Sequence, residues 1–183
     1  MKRFIASPIR CCMAAVAAVA LMATALFVAS RVVASAESPQ VQLNAEHIGP
    51  RAIEDLTRNS VARDYANAWQ TMTEALANNR SDLLDAYFTG FAKENLVQRI
   101  DDQKQTGVRV RYTDLGHKLD ALFYSPAGDA MQLRDNARLE VQILDGDKVI
   151  YRGQVNAQYL VLMTPGADRW LVRDLESTPE VKH

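Results

Sequence analysis

The chain has little cysteine: two of its 183 residues, Cys11 and Cys12, and none after them. A disulfide framework, a thiol nucleophile and cysteine-based metal sites are therefore excluded for everything beyond residue 36. The adjacent pair suggests a bacterial lipoprotein at first sight, but a lipid-accepting cysteine should follow an apolar run, and these two begin one. We interpret them as small apolar residues at a membrane boundary, with acylation as the alternative.

Histidine and the sequence signatures of catalysis are also scarce. The three histidines, His47, His117 and His183, are scattered along the chain, a spacing that does not predict a metal site. The sequence has no HExxH, GxSxG, P-loop or dinucleotide-binding pattern. We therefore expect neither a metal nor a cofactor, and we favour a protein that is not an enzyme.

An excess of positive charge is missing too. Residues 37–183 carry 17 Lys and Arg against 22 Asp and Glu, a net charge of −5, without a basic run. Such a domain is a poor match for the phosphate backbone, so we expect no nucleic-acid partner. Its 147 residues suit one ordinary domain with a single core.

What the sequence does have is an apolar segment, residues 11–30, without a single charge. Twenty residues span a hydrocarbon core as a helix, and the apolar region of a cleaved signal peptide is usually shorter, about 7–15 residues. Basic residues lie mainly before it, which predicts a cytoplasmic tail, residues 1–10, and an exported domain. The segment is thus expected to be a single-pass anchor in an inner or plasma membrane.

The alternative is a leader that is removed. Ala34-Ser35-Ala36 matches the small-residue pattern of a cleavage site, and cleavage after Ala36 would leave a chain that begins at Glu37. The protein would then be secreted or periplasmic. In both cases most of the chain is exported.

Beyond this segment, residues 31–50 are predicted to be a linker, because they are mostly polar and have no period. Residues 51–177 then form the folded domain, and residues 178–183 a tail. Apolar residues at steps of three and four predict a helix over about 51–78, a short helix after Ser81 and a third helix over about 91–106 that carries Phe91 inward.

After Gly107 the period changes to two, which predicts strands. Leu119, Ala121 and Phe123 are expected to share one face. Residues 137–151 read as a hairpin with its bend at residues 145–147, and two further strands follow. Helices first and an antiparallel meander afterwards is an α+β order, with the helices packed on a curled sheet.

One predicted strand is apolar on both faces. In QYLVLMT, Tyr159, Val161 and Met163 point one way and Leu160 and Leu162 the other. The face with Leu160 and Leu162 is our candidate contact surface for a protein partner or a second copy of the chain. The alternative is a sheet that curls over its own helices.

The order of elements resembles the NTF2-like, or SnoaL-like cone, superfamily. The residues that carry the resemblance are VARDYANAWQTMTEAL, ARLEVQILDGDKVIYRG and YLVLMTPGADRWLVRDLES. Within that superfamily, the tail, single span and exported domain resemble the VirB8-type secretion components and the Mce-associated membrane proteins. The intermembrane-space domain of chloroplast-division proteins has a similar order.

These resemblances imply a non-catalytic module that docks other proteins near a membrane. Other members of the superfamily, such as SnoaL-type cyclases and ketosteroid isomerases, imply the alternative, a small-molecule-binding protein or enzyme whose cone holds an apolar ligand. Six aromatic residues would line such a cavity or, alternatively, fill the core: Tyr65, Trp69, Tyr87, Phe88, Tyr124 and Tyr159.

The richest polar cluster surrounds His117, with Asp114 and Asp120 each three residues away. A histidine beside a carboxylate is the simplest acid–base pair, but on a regular strand residues three apart point to opposite faces. A bulge at Gly116 would restore one pairing. The simpler interpretation is a bend at residues 114–116 with His117 exposed beside it.

Overall fold

The computed structural model describes residues 41–46 and 48–178. The elements are β1 (Val41–Asn44), α1 (Asp55–Asn78), a 3-10 helix (Ser81–Ala86), α2 (Gly90–Thr106), β2 (Val108–Tyr124), β3 (Met131–Asp145), β4 (Lys148–Pro165) and β5 (Trp170–Thr178). The predicted tail, the apolar segment and residues 179–183 lie outside the described residues. Within them, no helix is both long and apolar enough to cross a bilayer.

The helical pattern of the sequence is confirmed, with one shift at its start. α1 is continuous and begins at Asp55, whereas Pro50 forms an isolated bridge with Tyr124. Each long helix ends on a left-handed residue, Asn79 after α1 and Gly107 after α2, whose N–H group is donated back to the last turn. This geometry satisfies carbonyl groups that a helix terminus otherwise leaves free.

The five strands form one sheet in the order β1-β2-β3-β4-β5. β2 to β5 are an antiparallel meander, as predicted, and the β3–β4 bend falls at the expected residues. β1 is parallel to β2, so the sheet is mixed. The linker prediction for residues 31–50 fails at residues 41–44, because Val41 and Leu43 pack against the core as a short strand.

The helices pack on one face of this sheet and enclose the core. α1 contributes Val61, Tyr65, Trp69 and Leu76, all at most 2% exposed. Burial of each large apolar side chain contributes roughly 1.5–3 kcal/mol to the free energy of unfolding.

Two apolar residues do not lie where the periodicity placed them. Phe91 is 69% exposed, because it is the second residue of α2 and precedes the buried stripe of Ala92, Leu96 and Ile100. Phe123 is 39% exposed, because a register shift between Ala121 and Phe123 turns it to the opposite face. A bulge inverts the in–out alternation, and no count of period two anticipates it.

A buried glutamine joins the ends of the two helices to the sheet. Gln103 donates a hydrogen bond from Nε2 to the Leu76 carbonyl at 2.9 Å and to Asn79 Oδ1 at 2.7 Å. Its Oε1 accepts one from the Val110 amide at 2.9 Å. One side chain thus connects α1, α2 and β2 at the end of the sheet where β2 begins.

Candidate functional site

The most unusual feature of the interior is a histidine held between two carboxylates. His117, in β2, is 1% exposed, and its Nδ1 lies 2.7 Å from Asp135 Oδ2 in β3. Its Nε2 lies 3.0 Å from Asp114 Oδ2 in an ion-pair contact. The expectation that His117 is exposed beside a bend is therefore wrong.

The bulge at Gly116 creates this arrangement. The pairing of β2 with β3 shifts between Asp114 and Gly116, and Gly116 has a φ of 128°, a conformation that side chains rarely adopt. Asp114 Oδ1 accepts a hydrogen bond from the Gly116 amide at 2.6 Å, which holds the carboxylate at the bulge. The bulge places Asp114 and His117, three residues apart, within contact of each other.

Asp120 takes no part in this cluster. Its Oδ1 accepts a hydrogen bond from Asn44 Nδ2 at 3.3 Å, on the β1 side of the sheet. The structure therefore brings together two of the three polar candidates, Asp114 and His117, and places Asp120 elsewhere.

Sequence reasoning missed the most buried member of the cluster, Asp135, which is 0% exposed. A signal for it exists in β3. Met131, Leu133, Ala137 and Leu139 occupy alternate positions, and Asp135 takes the inward place in the middle of that series. A carboxylate on an apolar face requires a buried partner, and this rule would have pointed to the site.

Helix α1 closes the cluster from the other side. Tyr65 donates a hydrogen bond from its hydroxyl to Asp135 Oδ2 at 2.8 Å. The Trp69 ring lies over His117 with 4.4 Å between ring centroids, and Tyr159 meets Trp69 edge-on at 5.4 Å. The polar atoms of the cluster are thus covered by aromatic rings.

These surroundings change the protonation of the buried groups. Burial by itself lowers the pKa of His117, but the contacts with Asp114 and Asp135 outweigh it and raise the pKa to about 9. Burial, followed by the Asp135 charge, raises the pKa of Tyr65 well above its usual value, and burial raises that of Tyr159 to about 12. At neutral pH we therefore treat His117 as an imidazolium that faces a carboxylate on each side.

Three of the six predicted cavity residues, Tyr65, Trp69 and Phe88, line one crevice. The other three lie elsewhere: Tyr87 under Arg169, Tyr124 beside Trp170, and Tyr159 against Trp69. The crevice is completed by Ala68, Met72, Val172 and Leu175, and it has no room for a water molecule. These side chains therefore pack as core residues in this conformation.

The cluster does not have the arrangement of a metal centre. Over residues 41–46 and 48–178, no group of three or more His, Cys, Asp or Glu side chains has an arrangement that would hold a metal ion. What the cluster can do is hold a proton on His117 and fix α1 to β2 and β3.

The predicted contact residues lie on the sheet face away from the helices. Val161 and Met163 are buried in the core, and the alternation of the strand places Leu160 and Leu162 on the other side, where both are half-buried. Leu162 stands beside Gln132, which is paired in turn with Phe123. Phe123, Leu160 and Leu162 thus share the outer face, with Gln132 between Phe123 and Leu162. We call these three apolar residues the outer-face patch.

Comparison with known proteins identifies a similar fold but no family. No protein-family model and no curated protein matches the chain. The crystal structure of the intermembrane space region of chloroplast protein ARC6 is similar with a TM-score of 0.58 and 13% identity, over 70% of this chain and 98% of that one. A structure from Catenulispora acidiphila is similar with a TM-score of 0.46 and 12% identity, over 67% and 94% of the two chains.

The first of these similarities shows the architecture. The chain is an α+β domain with its helices on one face of a five-stranded mixed sheet, which is consistent with a cone fold. A likeness at 13% identity shows the fold alone and gives no information about activity.

Proposed function

We propose that this protein is a non-catalytic exported module, tethered near a membrane, that associates with a second copy of itself through the outer-face patch. The observation that carries the proposal is the contrast between the two faces of the sheet. The inner face ends in a closed aromatic core, and the outer face presents an apolar patch bordered by charges. Exposed apolar side chains indicate a surface that binds something, and a closed interior offers no space for a substrate.

The closed interior supports a structural role for the histidine cluster. A general acid or base must come within hydrogen-bond reach of a substrate atom, directly or through one water molecule. His117 and Asp135 are at most 1% exposed, and the crevice next to Tyr65 and Trp69 has no space for water. Their chemistry is consistent with buried polar groups that fix one arrangement of helix and sheet.

The charges around the outer-face patch favour a second copy as the occupant. Arg134 of β3 is paired with Leu160, and Leu160 is paired with Glu176 of β5. Opposite charges therefore flank Leu160 on its row, and Leu162 lies between Gln132 and Asp174 on the next row of this face. In a two-fold arrangement, Arg134 of one copy would face Glu176 of the other, because the same patch is used twice.

The tether rests on the uncharged segment, residues 11–30, which has the length of a membrane span. The proposed location is an inner or plasma membrane with the domain on the exported side. Removal of the leader after Ala36 would leave the same domain free.

The test is a pair of aspartates on one strand. Leu160→Asp with Leu162→Asp places two charges in the patch, and Gln154→Asp with Asn156→Asp makes the same change on exposed positions of the same face. Sedimentation of the full chain in density-matched detergent should give a dimer for the control and a monomer for the leucine variant. Equal masses for the two variants would overturn the assignment of this surface.

A second candidate, a small-molecule-binding protein or SnoaL-like enzyme, is favoured by the ionisable cluster under the crevice. It requires the crevice to open beside Phe88 and Leu175, and it predicts saturable binding of an apolar fluorescent probe. Ala68→Trp would fill the crevice and abolish such binding. If the probe still binds after this substitution, or if it does not bind the parent chain, the crevice is not a binding site and the interior is packed.

A further inference from the structure

The β3–β4 hairpin ends in three consecutive apolar side chains that are exposed. Val149 is 45% exposed, Ile150 54% and Tyr151 48%. Single apolar residues are common on protein surfaces, but a contiguous run of this kind marks a place where something binds. We call residues 149–151 the hairpin tip.

The end of the hairpin is exposed on both of its faces, since every residue from 145 to 152 is exposed. Val149 is paired with Leu144 and Tyr151 with Ile143, so Val149 and Tyr151 lie on opposite faces, and Ile150 is the extra residue of a bulge between the two pairs. The three apolar side chains therefore surround the end of the hairpin.

The charges next to the tip nearly balance. The Arg109 guanidinium donates a hydrogen bond to the Gly146 carbonyl at 2.7 Å and lies 3.2 Å from Asp147. Lys148 is paired across the turn with Asp145. The binding chemistry of the tip is therefore set by its apolar area and by the Tyr151 phenol rather than by a net positive field.

The hairpin tip lies on the side of the sheet from which the chain enters. β1 is parallel to β2, with Val41 opposite His117, so the chain enters the sheet from the side where β2 begins. The hairpin lies at that same end, because Val108 is paired with Asp145. The chain therefore enters the sheet from the side that carries the hairpin tip.

We propose that the hairpin tip docks into the interface of the bilayer that holds the apolar segment. The inference rests on the membrane tether of the proposed function. Valine and isoleucine would lie among the upper acyl chains, and the tyrosine would lie at the headgroup level, where its apolar ring and polar hydroxyl are both satisfied. The domain is then held at two points, the tether and the tip, with the sheet standing away from the membrane.

Quenching by brominated lipids tests this arrangement in the full-length chain. Ile150→Trp adds a tryptophan at the tip, and Ala127→Trp adds one in the exposed turn between β2 and β3 at the other end of the sheet. Both variants are reconstituted in phosphatidylcholine vesicles with and without dibrominated acyl chains. The signal of Trp69 and Trp170, which are at most 8% exposed, is subtracted with the parent chain.

The proposal predicts that the added tryptophan at position 150 is quenched at least twofold more than the one at position 127. Equal quenching in vesicles that retain the chain would overturn the inference and leave the tether intact. If the chain does not float with the vesicles, the membrane tether itself is contradicted. A tryptophan at position 150 that is shielded without lipid, in a concentration-dependent way, would mean a protein contact and would also overturn it.

Discussion

The hydroxyl of Tyr65 in α1 and the imidazole of His117 in β2 meet on one atom, Asp135 Oδ2, at 2.8 Å and 2.7 Å. All three side chains are at most 1% exposed. A buried carboxylate is costly unless it is paired and hydrogen-bonded, and here two elements distant in sequence supply its partners. This contact fixes the helix to the sheet at one position.

The first prediction concerns pH. The His117 pKa is raised from 6.5 to about 9 in the folded chain, so the stability it provides is full below pH 6.5 and is lost as the pH rises through about 9. The groups that face His117 are Asp114, Asp135 and Tyr65. The free energy of urea unfolding should fall by about 3 kcal/mol from pH 6 to pH 10. His117→Gln should flatten this slope, and an equal slope in both proteins would contradict the assignment.

The second prediction concerns the hydrogen bond from the Tyr65 hydroxyl to Asp135. Tyr65→Phe keeps the ring and removes the donor to Asp135, which should lower the free energy of unfolding by about 1–2 kcal/mol. Tyr159→Phe is the matched control, since it also removes a hydroxyl from a ring that packs on Trp69. Comparable losses in the two variants would show that the Tyr65 contact contributes nothing specific.

The third prediction concerns the bulge. Gly116→Ala forces a side chain into a φ of 128° and should cost about 1–3 kcal/mol. Relaxation of the bulge would also move Asp114 away from His117 and lower the imidazole pKa, which NMR titration measures directly. Gly49→Ala, where an added Cβ meets nothing within 4 Å, is the control. An unchanged His117 titration in a folded Gly116→Ala variant would refute the role of the bulge.

The element order of this fold follows from the sequence, but the candidate site does not. Helical and strand periods locate α1, α2 and the antiparallel meander, because each buries one face over many residues. β1 could not be predicted in this way, because it has only four residues and they pair with a strand more than 70 residues away. The orientation of His117 depends on one extra residue at a bulge, which changes the face of every side chain that follows.

The fourth prediction concerns the glutamine that joins α1, α2 and β2. Gln103→Ala leaves the Leu76 carbonyl and the Val110 amide without their partner and should destabilise the domain by about 2 kcal/mol in chemical unfolding. Gln105→Ala, an exposed residue on the same helix, should change the stability by less than about 0.5 kcal/mol. Similar effects at the two positions would contradict the connecting role.

The fifth prediction tests the charges of the outer-face patch. Arg134→Glu should weaken self-association, because the new carboxylate would face Glu176 of the other copy. Adding Glu176→Arg should restore it, because the pair is then present with its charges exchanged. Sedimentation at low ionic strength measures both steps. A double variant no stronger than the single one would show that these residues do not meet across copies.

The most direct test of the account is a cysteine crosslink in the native membrane. In full-length chain with Cys11→Ser and Cys12→Ser, Leu162→Cys places one thiol in the outer-face patch and Gln154→Cys places one at the polar end of the same strand face. After mild oxidation, self-association through the patch predicts a covalent dimer for Leu162→Cys and little or none for Gln154→Cys. The same dimer yield at both positions, or none at either, would contradict it.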